Sequence, residues 1–289
     1  MSRPTTVAIS GSSGFVGSYL SQYLSQNGVT VIKLQRRDFH KPPVQLAAKL
    51  SGVDAVINLA GAPIIKRWSK EYKNILYHSR IDTTKKLVNA CSIMEHKPSL
   101  FLSSSAVGYY DSISTHTEDK HTKAEDFLGM LTDKWEQEAF RAKSLNIRTV
   151  IFRFGVVLGK NGGALKQMLL PFRLGLGGVI GTGKQTVCWI HIHDIARACL
   201  TVIKDKTYQN AYNLTAPTPT TNQELSIILG KVLNRPVLLP IPPLAIRLLY
   251  GEGAVILTKG QRVIPERLLQ AGFKFNFTNL KDAIRDCLN

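Results

Sequence analysis

The stretch VAISGSSGFVG, residues 7–17, decides the fold, because a short apolar run leads into three glycines spaced three residues apart. Residues 6–9 have the apolar, β-branched character of a buried parallel strand. Gly11 allows a sharp turn, Gly14 allows the backbone to approach a pyrophosphate, and Gly17 allows a helix to pack on the sheet. The stretch therefore predicts a strand, a glycine turn and a helix whose first amides bind phosphate.

This turn is the first part of a predicted dinucleotide site. The spacing is GxxGxxG rather than GxGxxG, and an ordinary glycine-rich turn would have the same composition. The strand before it and the helical apolar spacing behind it favour phosphate binding. The residues that we expect to contact the cofactor here are Gly11, Ser13, Gly14, Phe15, Val16 and Gly17.

A second predicted strand, residues 29–34, ends where the choice of cofactor is made. An acidic residue at this strand end would bind a ribose 2′-hydroxyl, whereas an arginine accommodates a 2′-phosphate. Arg36 and Arg37 come first and Asp38 lies further along the chain. We therefore expect NADP(H); the alternative is that both arginines are merely solvated.

Further strands alternate with helical patterns along the first two thirds of the chain. We predict strands at 53–61, 100–105, 148–157 and 212–214, and helices at about 69–94 and 122–145. This alternation is typical of an α/β fold with a doubly wound parallel sheet, Rossmann-like, whose ligand lies at the carboxyl ends of the strands. Residues at two of those ends join the predicted cofactor site: Leu59, Ala60, Gly61 and Ser103.

The chain divides into two predicted domains. Residues 1–215 form the nucleotide-binding domain, and a glycine-rich segment at 159–184 contributes to a substrate lobe. After a break at Pro217–Pro219, residues 216–289 form a smaller α-rich lobe over the substrate. The length of 289 residues suits one large domain with an appended lobe.

Composition excludes several classes of protein. The four cysteines are scattered, as reduced thiols are, and neither a signal peptide nor a membrane-spanning run is evident, so we expect a cytoplasmic protein with no membrane partner. The net charge of +17 is spread over both halves, with 20 Lys/Arg in residues 1–150 and 17 in residues 151–289. A nucleic-acid-binding protein more often gathers such charge into a patch, so we expect no nucleic acid. We interpret the excess as a solvated basic surface, which would favour anionic ligands.

The chain resembles the extended short-chain dehydrogenases/reductases, and within them an atypical branch named epimerase family proteins, or nucleoside-diphosphate-sugar epimerases. The strings that carry this resemblance are GSSGFVG (11–17), VINLAGAPI (56–64), SSSAVGYY (103–110), GVVLGKNGGAL (155–165), WIHIHDIA (189–196) and GQRVIPERLLQAGF (260–273). They extend over nearly the whole chain. The resemblance implies an NADP-binding core and a small C-terminal domain that covers the substrate.

The resemblance also implies a catalytic serine or threonine paired with Tyr-x-x-x-Lys. Ser105 occupies the serine position, but no tyrosine of this chain has a lysine four residues later. By position, the candidates for proton transfer are then Tyr109 and Tyr110, for which aromatic packing is the alternative. Because an ordinary tyrosine with pKa ~10 is a poor base at neutral pH, a positive charge must lie beside it. We expect that charge to be Lys134, Arg80 or the oxidised nicotinamide.

The remaining polar candidates concern the substrate. Arg80, Gly155 and His191 are expected on the substrate side, and we predict no metal, although His191-x-His193-Asp194 has a spacing that metals can use. Two functions follow. One is an NADP(H)-dependent oxidoreductase or nucleotide-sugar epimerase acting on a small anionic substrate. The other is a non-catalytic NADP(H)-binding protein with a regulatory or redox-sensing role. Substrate identity and oligomeric state are left open.

Overall fold

The computed structural model describes residues 4–160 and 162–289. The strands, in chain order, are β1 (Thr6–Ser10), β2 (Thr30–Leu34), β3 (Ala55–Asn58), β4 (Leu100–Ala106), β5 (Thr115–His116), β6 (Arg148–Phe154), β7 (Val156–Leu158), β8 (Thr186–Val187), β9 (Trp189–His191), β10 (Asn210–Leu214), β11 (Thr220–Thr221) and β12 (Arg262–Val263). The α-helices are α1 (Phe15–Gln26), α2 (Pro43–Lys49), α3 (Lys70–Ser92), α4 (Phe127–Phe140), α5 (Gly163–Arg173), α6 (Ile192–Lys204), α7 (Asn222–Leu233), α8 (Pro243–Tyr250), α9 (Val255–Thr258), α10 (Glu266–Gln270) and α11 (Leu280–Leu288).

Six of these strands form one parallel sheet in the order β2-β1-β3-β4-β6-β10. The chain winds outward from β1 to β2, then crosses back to β3 and continues the other way. This reversal places a crevice at the carboxyl ends of β1 and β3, which is where open parallel sheets bind their ligands. The predicted doubly wound sheet is confirmed.

Side chains alternate between the two faces of the sheet. Val7 and Ile9 of β1 join a core that includes Leu20 and Leu24 of α1. Ala8, between them, joins a second core built with α2, α3 and the residues after α4. Because both faces are covered, the central strands β1, β3, β4 and β6 are buried over nearly their whole length, as parallel sheets require, whereas the edge strand β2 is partly exposed.

Two predicted elements have different bounds in the structure. The helix expected from about 122 begins at Phe127, because the carboxylate of Asp126 caps it by accepting from the Gly129 amide at 3.1 Å. The strand expected at 148–157 is interrupted at Gly155. A β-carbon there would lie 2.5 Å from the Cys188 carbonyl oxygen, so only glycine allows the two chains to approach this closely. Beyond it, β7 leaves the sheet and pairs with β9.

The C-terminal part of the chain is rich in helix, as expected. Helices α5, α7 and α11 enclose a separate apolar cluster that includes Leu229 and Ile284. Strand β12 returns to the nucleotide-binding side and pairs with β5, in the loop after β4. This pairing brings the C-terminal segment against the part of the chain that holds the candidate catalytic residues. The domain boundary at 215/216 stays a prediction.

Candidate functional site

The glycine turn occupies the crevice between β1 and β3. Gly11 has a positive φ of 70°, which L side chains rarely adopt. A β-carbon on it would lie 2.7 Å from the Leu59 carbonyl oxygen, and one on Gly17 would lie 2.2 Å from the Gly11 carbonyl oxygen. The loop after β1 therefore packs directly on the loop after β3, which carries Leu59, Ala60 and Gly61.

The N-terminus of α1 has the properties of an anion site. Gly14 is the N-cap residue and offers no side chain to cap the helix, so the amides of the first turn, from Phe15 to Gly17, are left for a ligand. Ser13 and Gly14 are exposed beside them. The ring of Phe15 packs on the glycines that precede α5, since a β-carbon on Gly162 would lie 2.0 Å from it.

The two arginines and the aspartate that follow β2 lie in different surroundings. Arg36 and Arg37 are exposed on a short 3₁₀ turn, whereas Asp38 is 3% exposed. The Asp38 carboxylate accepts from the Gln35 amide at 2.7 Å and pairs with Lys49. Burial opposes ionisation of Asp38, but the hydrogen bond from Lys49 and that from Gln35 hold its pKa below the usual range. Asp38 is therefore engaged inside the protein.

A buried polar network supports the crevice from below. Ser10 donates to the Asn58 side-chain oxygen at 2.6 Å, and the Asn58 amide donates to Thr84 at 2.8 Å and to Ser103 at 3.3 Å. Thr84 also accepts from the Trp135 indole at 3.0 Å. Ser103, expected at the cofactor, is fully buried in this network. Its observed contacts fix Asn58 at the end of β3.

Ser105 is joined to a buried ion pair. Its hydroxyl donates to the Glu136 carboxylate at 2.6 Å, and that carboxylate accepts two hydrogen bonds from Arg153, at 2.8 and 2.7 Å. All three residues are buried. Burial alone would lower the pKa of Arg153, but the hydrogen bonds and charge of Glu136 raise it. The Ser105 hydroxyl is therefore a donor to a carboxylate in this structure.

The two adjacent tyrosines lie in different surroundings. Tyr110 is fully buried; its hydroxyl accepts from Arg153 at 2.6 Å and donates to the Asn213 side-chain oxygen at 2.6 Å. Burial raises the pKa of Tyr110 to about 12, against the smaller effect of the Arg153 charge. The expectation of a lowered pKa is therefore wrong for Tyr110, because desolvation of the phenolate outweighs the charge beside it.

Tyr109 packs its ring against the Arg153 guanidinium, whose carbon lies 3.7 Å from the ring centroid. The ammonium of Lys123 lies 5.4 Å from the same centroid. The pKa of Lys123 is raised chiefly by its hydrogen bond to Asp133 and to a lesser extent by Tyr109. The two side chains expected to supply positive charge are elsewhere: Lys134 lies over Tyr77, and Arg80 lies over Trp135. Arg153 and Lys123 are the cations that the structure places there.

The three residues expected on the substrate side are dispersed. Arg80 lies under the loop after β3 and donates to the Ala62 carbonyl at 3.0 Å. Gly155 lies at the end of β6, where its amide donates to the Leu214 carbonyl at 3.2 Å. His191 is 3% exposed, packs on Phe277 at 3.8 Å between ring centroids and faces Asp286 at 3.2 Å. Its observed contacts brace the C-terminal segment.

The neighbours of His191 are also hydrogen-bonded to other residues of the chain. His193 is hydrogen-bonded to Tyr19 at 3.0 Å, and Asp194 accepts from the amides of Asn276 and Phe277. In the parts of the chain that the structure describes, no three His, Cys, Asp or Glu side chains are grouped as metal ligands. Within those same parts, no helix has the length and apolar character needed to cross a membrane.

Sequence reasoning missed four residues of this site: Glu136, Arg153, Asn213 and Lys123. Arg153 had a usable signal, since it is the one charge between the apolar residues Phe152 and Phe154, deep in a buried strand. A charge in such a strand needs a buried partner, and Glu136 on the preceding helix is that partner. Asn213 and Lys123 carried no comparable signal, because polar residues are common at strand ends and in loops.

The strand order changes direction at β1 and β3, and a glycine turn with an uncapped helix N-terminus lies at that crevice. Together these features define a nucleotide-binding α/β protein of the Rossmann class. Comparison with known proteins is consistent with this. The NAD dependent epimerase/dehydratase family matches residues 7–215, and a domain of unknown function, DUF1731, matches residues 241–287. The chain belongs to the NAD dependent epimerase/dehydratase family.

Three similar proteins illustrate the relationship. An epimerase family protein SDR39U1 homolog, chloroplastic, from Arabidopsis thaliana is 36% identical over 97% of this chain and 86% of its own length. The crystal structure of human epimerase family protein SDR39U1 (isoform 2) with NADPH is 35% identical, with a TM-score of 0.91 over 98% of this chain and 99% of that one. UDP-glucuronic acid 4-epimerase from Bacillus cereus, crystallised with UDP-glucuronic acid and NAD, has a TM-score of 0.80 at 18% identity over 98% of each chain, which shows the fold alone.

Proposed function

We propose that this protein is an NADP(H)-dependent oxidoreductase or nucleotide-sugar epimerase that acts on a small anionic substrate. The observation that carries the cofactor assignment is the arrangement after β2, where Asp38 is buried against Lys49 while Arg36 and Arg37 are exposed. A ribose 2′-hydroxyl would find no free carboxylate there, whereas a 2′-phosphate would meet two guanidinium groups. The human relative crystallised with NADPH supports this choice.

The pyrophosphate of the cofactor would lie at the N-terminus of α1, against the amides of Phe15, Val16 and Gly17. The absence of a side-chain cap on α1 and the exposure of Ser13 and Gly14 support this placement. Bound there, the nicotinamide supplies hydride transfer. Residues of this chain must then hold the substrate and move its proton.

Tyr109 is the proposed proton donor and acceptor, beside Ser105. Tyr110 is unsuited, because its hydroxyl is committed to Arg153 and Asn213 and its pKa is raised to about 12. Tyr109 instead has the Arg153 guanidinium against its ring and the Lys123 ammonium 5.4 Å from its ring centroid. A tyrosine and a lysine are thus brought together by the loop before α4 and not by one helical turn.

Turnover of NADPH or NADP⁺ with a panel of carbonyl compounds and nucleotide sugars tests the proposed chemistry. We expect Tyr109→Phe to lower turnover by about 10²–10⁴-fold, the usual contribution of general acid–base catalysis, with cofactor affinity unchanged. Lys123→Met is expected to act in the same direction, and Lys120→Met, an exposed lysine of the same loop, is the control. Full turnover by Tyr109→Phe would contradict this role.

A second function is favoured by one observation. The Ser105 hydroxyl donates its hydrogen bond to the Glu136 carboxylate, and so its only O–H is not available to a substrate. This geometry suits a non-catalytic NADP(H)-binding protein whose partners respond to the bound cofactor. Tight cofactor binding without turnover of any substrate in the panel would support this function over the first.

A further inference from the structure

Helix α5 and the loop after it expose leucines to solvent. Leu165 and Phe172 of this helix are buried in the apolar cluster of the C-terminal part of the chain. Leu170, Leu174 and Leu176, by contrast, are 67%, 65% and 72% exposed. A helix that is covered by protein on one side normally carries polar residues on the other. The outward side of α5 is therefore apolar where a solvated helix would be polar.

Helix α8 and the segment before it show the same pattern. Ile246 of α8 is buried, whereas Leu244 and Leu248, one helical turn apart, are exposed, and so are Leu238 and Leu239 before the helix. With Leu249, more than half of the large apolar side chains that are exposed in residues 4–160 and 162–289 belong to these two places. Single exposed leucines are common, but a group of them marks a surface that contacts something else.

The two places adjoin each other. The Ile241 amide donates to the Val179 carbonyl at 2.7 Å, and the Gly181 amide donates to the Ile241 carbonyl at 2.9 Å. A β-carbon on Gly178 would lie 2.2 Å from the Leu239 carbonyl oxygen, so the loop after α5 packs directly on the segment before α8. The exposed leucines of residues 170–176 and 238–249 therefore lie on adjoining parts of one surface, which we call the leucine surface.

The charges on the segments that form the leucine surface all have one sign. Residues 162–185 and 225–251 contain six cations and no Asp or Glu. All six are exposed, and none forms an ion pair with a side chain in the described part of the protein: Lys166, Arg173, Lys184, Lys231, Arg235 and Arg247. The carboxylates that flank the second segment are already bonded, Glu224 to the Thr221 amide at 2.8 Å and Glu252 to Lys73. The leucine surface is therefore both apolar and basic.

A groove at one edge of the leucine surface combines the two properties. It has a volume of about 330 Å³ and lies between α5 and the end of α11, with Leu170 in its wall. The cations along it are Lys160, Lys166 and Arg173. The carboxylates of α11 do not line it, since Asp282 faces Arg285 and Asp286 faces His191. Cations beside leucines suit an anionic headgroup that is attached to an apolar chain.

The charge of the leucine surface decides between its two simplest occupants. A second copy of this chain is disfavoured, because a two-fold interface would bring the same cations face to face. An anionic lipid leaflet matches both properties, because its headgroups attract the cations and its acyl region accepts the leucines. We propose that the leucine surface binds peripherally to a membrane that contains anionic phospholipids.

This binding is independent of the proposed function, since it involves neither the cofactor crevice nor a substrate. It differs from the expectation of no membrane partner. That expectation rests on the lack of a membrane-spanning run in the sequence, and peripheral binding does not require such a run.

Flotation of the full chain with lipid vesicles tests this proposal. We expect the parent to bind phosphatidylcholine vesicles that contain phosphatidylglycerol, and not to bind vesicles of phosphatidylcholine alone. The double variant Leu244→Ser/Leu248→Ser should bind at least about tenfold more weakly, as expected when a leucine side chain is no longer buried. Arg173→Gln should bind about fivefold more weakly, the usual effect of one cation near an anionic leaflet. Since these side chains are exposed, both variants should melt at the temperature of the parent.

Two exposed residues elsewhere in the chain provide matched controls. Ile113→Ser removes an apolar side chain that is 91% exposed in the loop after β4, and Lys97→Gln removes an exposed cation before β4. Both control variants should bind the anionic vesicles as the parent does. If they weaken binding as much as the test variants do, the net charge and not the leucine surface binds the vesicles, and the proposal is overturned.

Three other results would overturn it as well. They are a parent protein that does not bind the anionic vesicles, a leucine double variant that binds them as tightly as the parent, and a parent oligomer without affinity for vesicles that the double variant dissociates. The last result, measured by sedimentation, would identify a second copy of this chain as the occupant. NADPH binding should be the same in the parent and in all four variants, so a failure of the proposed function is detected separately.

Discussion

Replacing Tyr110 by phenylalanine should destabilise the protein strongly, whereas the same change at Tyr109 should not. The Tyr110 hydroxyl bonds to Arg153 and Asn213, both buried. A hydrogen bond to a charged group contributes about 1.5–3 kcal/mol, and an orphaned buried acceptor costs about 1–3 kcal/mol. Since Arg153 keeps its ion pair with Glu136 in this variant, we expect the free energy of unfolding to fall by about 2–5 kcal/mol.

The adjacent residue provides the control. Tyr109→Phe keeps the ring that packs on Arg153 and loses only a hydroxyl near the exposed ammonium of Lys123, so its cost should stay below about 1 kcal/mol. Urea unfolding followed by circular dichroism at neutral pH measures both variants. If Tyr110→Phe unfolds at the same urea concentration as the parent, the hydrogen bonds of the Tyr110 hydroxyl do not stabilise this fold.

Three further predictions concern the same structure. Glu136→Gln should cost about 3–5 kcal/mol, because it leaves the buried Arg153 charge unpaired; a cost below about 1 kcal/mol in chemical denaturation would contradict this. Since the pKa of Tyr110 is raised to about 12, stability should fall as pH rises from about 10 to 12, by up to about 3 kcal/mol for this group. Between pH 10 and 12, the stability of Tyr110→Phe should therefore fall less than that of the parent, whereas the stability of Tyr109→Phe should fall as much as that of the parent. Gly14→Val should abolish cofactor binding with the fold intact, since a β-carbon there meets only the Gly11 carbonyl oxygen at 3.2 Å, whereas Gly17→Val should disturb folding because its β-carbon would lie at 2.2 Å. Circular dichroism with cofactor fluorescence distinguishes the two, and normal binding by Gly14→Val would exclude this loop as the phosphate site.

The fold followed from local patterns in the sequence. Short apolar runs alternating with helical patterns predicted a parallel sheet, and the glycine turn after β1 marked the crevice. The ends of elements were less predictable, because they depend on single contacts. Helix α4 begins where Asp126 caps it, and the strand from Arg148 is broken where Gly155 meets Cys188.

The sequence could not predict which side chains of the site bond to each other, because the bonded residues are far apart along the chain. Ser105 meets Glu136 thirty-one residues later, and Tyr110 meets Asn213 more than a hundred residues later. The position of Asp38 likewise depends on Lys49, which turns an acidic residue of the cofactor region inward. Residue type and spacing identified the carboxyl edge of the sheet, but only the folded chain shows which polar groups are already satisfied there.

Calorimetric titration with NADPH and NADH measures whether the dinucleotide site is selective for the 2′-phosphate. We predict that NADPH binds about ten- to a hundredfold more tightly, as a charge-assisted pair of about 1.5–3 kcal/mol implies, and that the preference disappears in the double variant Arg36→Ala/Arg37→Ala. Equal affinities for the two cofactors, or a preference that survives in the double variant, would show that Arg36 and Arg37 do not bind a 2′-phosphate.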